Sequence, residues 1–147
     1  MADGHTLAMA LRAAYLTMHR CADARFARHS ITADQFVVLA TLATADAVTQ
    51  RELARRTGSD PNTVRAMLML LEDRGLVARA PHPTDGRART VTLTPAGRAC
   101  YRRLWREGEP VRKRLLATLR PGEVETLITL LNRVATGMCP EPVRTSS

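Results

Sequence analysis

The sequence predicts a mainly α-helical fold with one small antiparallel β-hairpin, and three observations predict it. Apolar residues recur at spacings of three and four over most of the chain. Stretches opening at Thr32, Thr49, Asp60 and Thr94 carry the residue grammar of a helix N-terminus. Val77 to Arg79 and Arg89 to Leu93 alternate as strands do, and between them lies a tip with two prolines, an Asp-Gly and arginine. Two short helices joined by a Gly-containing turn and followed by such a hairpin, here spanning Thr49 to Gly97, outline a winged helix-turn-helix. Residues 1–30 are expected to form an N-terminal dimerisation helix, 31–94 the winged domain, 95–139 C-terminal dimerisation helices, and 140–147 a flexible tail.

From His5 to Arg28, Leu7, Leu11, Ala14, Tyr15, Met18, Ala22 and Phe26 draw an apolar stripe along one long helix. Thr32 and Gln35 read as a reciprocal capping box, with Ile31 and Phe36 placed as a hydrophobic staple, and a helix through Thr44 follows. Thr49 and Glu52 repeat the box, with Val48 and Leu53 as staple, and this short helix stops at Gly58. Asp60 and Pro61 start a third segment that Gly75 ends. On it Val64, Met67, Leu68 and Leu71 fall on a core face, while Asn62, Ala66, Met69 and Asp73 lie opposite and Thr63, Arg65 and Leu70 flank them. Thr94 and Pro95 open a helix running toward Leu119, bent near Gly108 and Pro110. The last helix, Gly122 to Thr136, carries Val124, Leu127, Ile128, Leu131 and Val134 on one side.

Composition narrows the function. The 147 residues carry a formal net charge of +8, which favours a polyanionic partner, either nucleic acid or an anionic membrane surface. The N-terminus lacks the pattern of a secretory signal and no stretch has the length of a membrane span, so a cytoplasmic, nucleoid-associated protein is expected. Cys21, Cys100 and Cys139 are odd in number and share no close spacing, which argues against a disulfide framework and a zinc site; no metal or cofactor is expected. There is no Gly-rich phosphate loop, HExxH, CxxC or nucleophile elbow, and His5, His19, His29 and His82 are scattered, so an enzyme is disfavoured.

One resemblance is specific. Glu52-Leu53-Ala54, Thr63-Val64, Leu71-Glu72, Arg74-Gly75-Leu76-Val77, Arg79, Pro83-Thr84-Asp85-Gly86-Arg87 and Leu93-Thr94-Pro95-Ala96-Gly97 resemble the signature of MarR-family transcription regulators. The resemblance implies a bacterial homodimer that binds double-stranded DNA, often a repressor released by a small aromatic or phenolic ligand or by cysteine oxidation. It also implies that Arg87 enters the minor groove, steadied by Asp85; the alternative is that the two merely pair across a surface turn. In the family the position of Ala66 often carries a basic residue and that of Met69 a polar one, so this chain departs from the pattern there.

The physical reading runs parallel. A helix N-terminus in the major groove brings Asn62 to an adenine edge, Arg65 to guanine and Ala66 to a thymine methyl, while backbone amides and Thr63 hold phosphates. Met69 shares that face, and Arg51, Arg55 and Arg56 are candidate phosphate contacts. The rival reading is a helical ligand-binding or interaction module of the same fold with weak or lost DNA binding. The apolar stripes, with Leu7, Leu11, Tyr15, Leu127 and Leu131 as candidate interface residues, call for a second copy. Two recognition helices about 34 Å apart would then read a pseudo-palindromic operator. Arg12, Tyr15, His19 and Trp105 are candidate effector-binding residues. Cys21, beside His19 and Arg20, is a candidate redox-sensitive thiol.

Overall fold

A helix begins where its first amides find acceptors other than its own carbonyls, and this chain supplies them with side chains. The structure, a computed structural model, describes residues 1–45 and 47–139; the expected tail, 140–147, lies outside the described residues. Helix α1 is Gly4–Phe26, capped by Asp3, whose carboxylate accepts from the Thr6 amide at 2.8 Å. It ends earlier than periodicity predicts, in a single 3₁₀ turn, Ala27–His29. Helix α2 is Ala33–Ala43, and its capping box closes both ways: the Gln35 amide donates to Thr32 Oγ1 at 3.1 Å and the Thr32 amide to Gln35 Oε1 at 3.0 Å.

Helix α3, Gln50–Thr57, shows only half of the box expected there. The Glu52 amide donates to Thr49 Oγ1 at 3.1 Å, but the Glu52 carboxylate turns away to Arg55 and Arg56. Three bonds from two guanidinium groups, ionised on both sides, outweigh one from a neutral amide. Helix α4, Pro61–Asp73, starts as predicted, with Asp60 Oδ2 accepting the Asn62 and Thr63 amides at 3.0 and 3.1 Å. Helix α5, Pro95–Glu107, starts on Thr94. The bend expected near Gly108 is an interruption, after which Glu109–Ala117 forms a separate helix, α6. Pro110 sits in its first turn, where a missing N–H costs nothing. Helix α7 is Glu123–Gly137.

Strands β1 (Val48–Thr49), β2 (Val77–Pro81) and β3 (Arg89–Leu93) form an antiparallel sheet in the order β1-β3-β2. The two-residue β1 is absent from the sequence reading. It sets Val48 opposite Val91 and Thr49 opposite Thr90, while Val77 faces Leu93 and Pro81 faces Arg89. The sheet closes one side of a core containing Phe26, Ile31, Val38, Leu39, Leu42, Leu53, Val64, Leu68, Leu71, Val77, Val91 and Leu104. The predicted inner face of α4, Val64, Met67, Leu68 and Leu71, is buried throughout. Phe26, Phe36, Tyr101 and Trp105 follow one another with ring centroids 4.8, 5.9 and 6.2 Å apart.

The turn after α4 is tied to the chain from two sides. Gly75, at φ 71°, takes the left-handed conformation that lets the Gly75 amide reach Glu72 O at 2.8 Å and the Leu76 amide reach Leu71 O at 2.9 Å. The Thr94 hydroxyl donates to Gly75 O at 2.6 Å and its amide to Leu76 O at 3.2 Å. From the other side the Arg74 guanidinium donates to Ser30 O at 2.7 Å and His29 O at 3.0 Å. Gly97 lies so close that a Cβ there would stand 1.9 Å from Leu76 O. The Leu-Thr-Pro-x-Gly phrase is thus a clasp that joins the end of α4 to the start of α5.

The chain forms two compact units, the first ending at Val111 and the second beginning at Arg112. In the first, α1 leaves Leu7, Met9, Tyr15 and Met18 exposed; in the second, α7 leaves Leu127, Ile128, Leu130, Leu131 and Val134 exposed. Among the described residues no helix is long and apolar enough to cross a membrane. Gly97→Ala is expected to destabilise the fold by about 3 kcal/mol, the upper end of overpacking costs, in urea denaturation. Gly86→Ala, whose Cβ would meet nothing within 4 Å, is expected to stay within about 0.5 kcal/mol of the parent.

Candidate nucleic-acid interface

With its inner face buried, α4 presents Asn62, Thr63, Arg65, Ala66, Met69, Leu70 and Asp73 to solvent. One expectation changes here. The amides of Asn62 and Thr63 are held by the Asp60 carboxylate, so they are not the ready phosphate donors that a bare helix N-terminus would offer. What this end of the helix presents to solvent is the side chains of Asn62, Thr63 and Arg65.

The hairpin tip is built by its own polar groups. The His82 amide donates to Ala88 O at 3.0 Å and the Ala88 amide to Asp85 O at 3.1 Å. Asp85 Oδ1 accepts from the Arg87 amide at 3.0 Å, so the carboxylate fixes the backbone that carries the arginine. The imidazole of His82 plays a part that sequence reasoning missed: Nδ1 accepts from the Thr84 amide at 3.2 Å and the Asp85 amide at 3.1 Å. An Asn or Asp at the start of a turn does the same with its side-chain oxygen; the available signal was a ring acceptor two residues before Thr84.

Between this tip and the start of α3 lies a cleft of about 420 Å³ lined by Thr49, Gln50, Arg51, Asp85, Arg87, Ala88 and Arg89. The register explains it. Because Thr49 pairs with Thr90, β1 draws the positive end of the α3 dipole alongside the wing. Arg51, Asp85 and Arg87 are thereby brought together, and Arg89 joins them although the sequence offered it only as a strand residue.

Arg55 and Arg56 are engaged elsewhere. Arg55 grips Glu52 with Nε and Nη2 at 2.9 and 2.6 Å, and Arg56 Nε reaches the same carboxylate at 2.9 Å. A second bidentate pair locks the wing to α4: Arg79 Nε and Nη2 donate to Glu72 at 3.2 and 2.9 Å, and Arg79 Nη1 reaches Gln50 Oε1 at 3.5 Å. The hydrogen bond from Arg79 lowers the Glu72 carboxyl below its ordinary range.

The four candidate effector residues occupy three places in the first unit. Tyr15 and His19 meet with ring centroids 5.4 Å apart, and His19 Nε2 lies 3.4 Å from Asp23 and 3.9 Å from Asp34. Arg12 lines a shallow groove of about 280 Å³ with Met9, Ala13, Leu16, Thr17 and Arg20. Trp105 lines a separate concavity of about 400 Å³ with Tyr101, Arg102 and Arg106. The thiols of Cys21 and Cys100 are half-buried and that of Cys139 is exposed; all three are free.

The Glu52 cluster yields a pH prediction. Hydrogen bonds from Arg55 and then Arg56 lower the Glu52 carboxyl from its ordinary 4.5 to about 2. Its stabilising contribution is therefore fully present above about pH 4.5 and lost as pH falls through about 2. A carboxyl-detected NMR titration is expected to place the Glu52 midpoint near 2 and to return it toward 4.5 when Arg55 and Arg56 are both replaced by Gln.

Residues 29–88 match the model of the MarR family. The multiple antibiotic resistance protein MarR of Salmonella typhimurium is 36% identical over 105 residues, 71% of this chain and 73% of that protein. Among solved structures, a mutant of MarR from E. coli complexed with operator DNA aligns with TM-score 0.81 and 29% identity, over 90% of this chain and 99% of that one. BpsR of Bordetella bronchiseptica, solved for the regulation of its DNA binding by 6-hydroxynicotinic acid, aligns with TM-score 0.82 and 29% identity, over 92% and 96% of the two chains. The wing phrase, the clasp at Gly97 and these similarities agree, and the chain belongs to the MarR family.

Proposed function

We propose that this MarR-family protein binds double-stranded DNA as a homodimer and regulates transcription from a pseudo-palindromic operator, as a repressor released by a small ligand. The observation that carries the reading is the convergence of Arg51, Arg87 and Arg89 on one cleft between the start of α3 and the wing. With α4 in the major groove, the wing reaches the neighbouring minor groove, where an arginine gains from concentrated negative potential. Arg87 takes that place, its backbone held by Asp85. Arg51 meets the phosphate backbone between the two, and Thr63 meets it through its hydroxyl. Asn62 and Arg65 face adenine and guanine edges, with Ala66 and Met69 against the bases between. Arg55 and Arg56 contribute less, because both are already bonded to the Glu52 carboxylate, which offsets one of their two charges.

A second copy covers the stripes left open on α1, with Leu7, Leu11 and Tyr15, and on α7, with Leu127 and Leu131. Isologous pairing puts two reading heads about one helical turn apart. Residues 1–30 and 95–139 then act as dimerisation segments around the DNA-binding domain, 31–94. For the effector, BpsR gives the precedent of an aromatic acid. The aromatic side chains of Tyr15 and Trp105 and the cations of Arg12 and His19 offer the complementary chemistry. The site of action is the cytoplasm.

Selection of bound duplexes from a random pool tests the whole reading: recovered sequences should contain inverted half-sites about one turn apart, and no bound duplex at low salt would refute it. On a recovered operator, Arg87→Ala should weaken binding and lower the salt slope by about 1. Glu52→Gln, which frees Arg55 and Arg56, should steepen that slope by up to about 2. The double variant Leu127→Asp/Leu131→Asp should run as a monomer by light scattering at micromolar concentration; a surviving dimer would remove α7 from the interface.

A further inference from the structure

The solvent face of α4 carries an apolar strip that the fold does not use. Met69 is 52% exposed and Leu70 56% exposed, and Ala66, one turn earlier, is exposed beside them. The inner face is fully supplied by Val64, Met67, Leu68 and Leu71, so none of the three is needed for the core. At about 100° per residue, Ala66 and Met69 flank the mid-line of the outer face with Asn62 between them; Leu70 borders Ala66, and Arg65 borders Met69. Whatever covers this strip must offer small apolar patches close to hydrogen-bonding groups and to negative charge, because Asn62 and Arg65 frame it. A greasy protein groove would cover Met69 and Leu70 at the cost of desolvating Arg65.

In the DNA major groove the apolar group at the depth of the base edges is the thymine C5-methyl, set between acceptors that Asn62 and Arg65 can use and phosphates that attract Arg65. We infer that Ala66, Met69 and Leu70 together read thymine methyls, so that each operator half-site is selected for thymine beneath this strip. The inference rests on the DNA-binding reading above and gives it a base preference. Ala66 is short enough to let the helix axis come close, and Met69 is unbranched and adapts its shape to more than one methyl. Cytosine is rejected because it lacks the methyl and turns an N4 donor toward carbon and sulfur that cannot satisfy it. Asp73, on the same face at the C-terminal end, repels phosphate and marks where the reading stops.

The test uses the full chain and a duplex recovered by selection, with thymines replaced one at a time by deoxyuridine, which removes the methyl and nothing else. Loss of one buried methyl should weaken binding about fourfold, the equivalent of roughly 0.8 kcal/mol, at two or more positions in each half-site. In Met69→Gln and Leu70→Gln, whose folding is checked by helical circular dichroism, the same replacements should have no effect at the positions each side chain covers. Equal affinity for thymine and deoxyuridine at every position would overturn the inference and leave DNA binding intact. Undiminished deoxyuridine sensitivity in both variants would overturn it as well. Failure to bind any duplex would instead refute the DNA-binding reading on which it depends.

Discussion

The orientation of α4 depends on the turn that follows it. Arg74, Gly75 and Leu76 together hold three other parts of the chain: the carbonyls after α1, the hydroxyl and amide of Thr94, and the bare Cα of Gly97. Each contact is polar or steric and directional, so the helix is fixed in rotation as well as in position. These contacts add direction to the apolar packing by which the inner face of α4 meets the core. Arg79, bonded to Glu72 and reaching Gln50, extends the same constraint to the wing and to α3.

Charge is apportioned more narrowly than a net +8 implies. Arg74 and Arg79 are structural braces, and Arg55 and Arg56 are tied to Glu52. The cleft between α3 and the wing holds Arg51, Arg87 and Arg89 in one place. A basic composition therefore points to a polyanionic partner while saying little about which cations would meet it. The proposed contacts come from position: β1 brings Arg51 to the wing, and Asp85 sets the backbone of Arg87.

Local grammar made much of the fold legible. Thr32, Asp60 and Thr94 announce helix starts because each cap is settled within three or four residues, and the burial of Val64, Met67, Leu68 and Leu71 followed from spacing alone. What escaped depends on partners distant in sequence or on competition. Strand β1 has only Val48 and Thr49, too short for any period, and exists because β3 lies beside it. The second half of the Thr49 box was lost because Glu52 had guanidinium groups to choose. The family resemblance named Arg87 and Asp85, but neither it nor periodicity brought out Arg89 or the acceptor role of His82.

The clasp reaches much farther along the chain than the bonds that end the helices. The helix caps join residues two to four apart, whereas the bonds from Arg74 to Ser30 and His29 span 44 and 45 residues and that from Thr94 to Gly75 spans 19. Closing the longer loops costs more chain entropy. The ends of the helices in this chain thus rest on local bonds, and the placing of α4 rests on distant ones. The angle of α4, on which any reading of bases depends, is a collective property that draws on residues as far apart as His29 and Gly97.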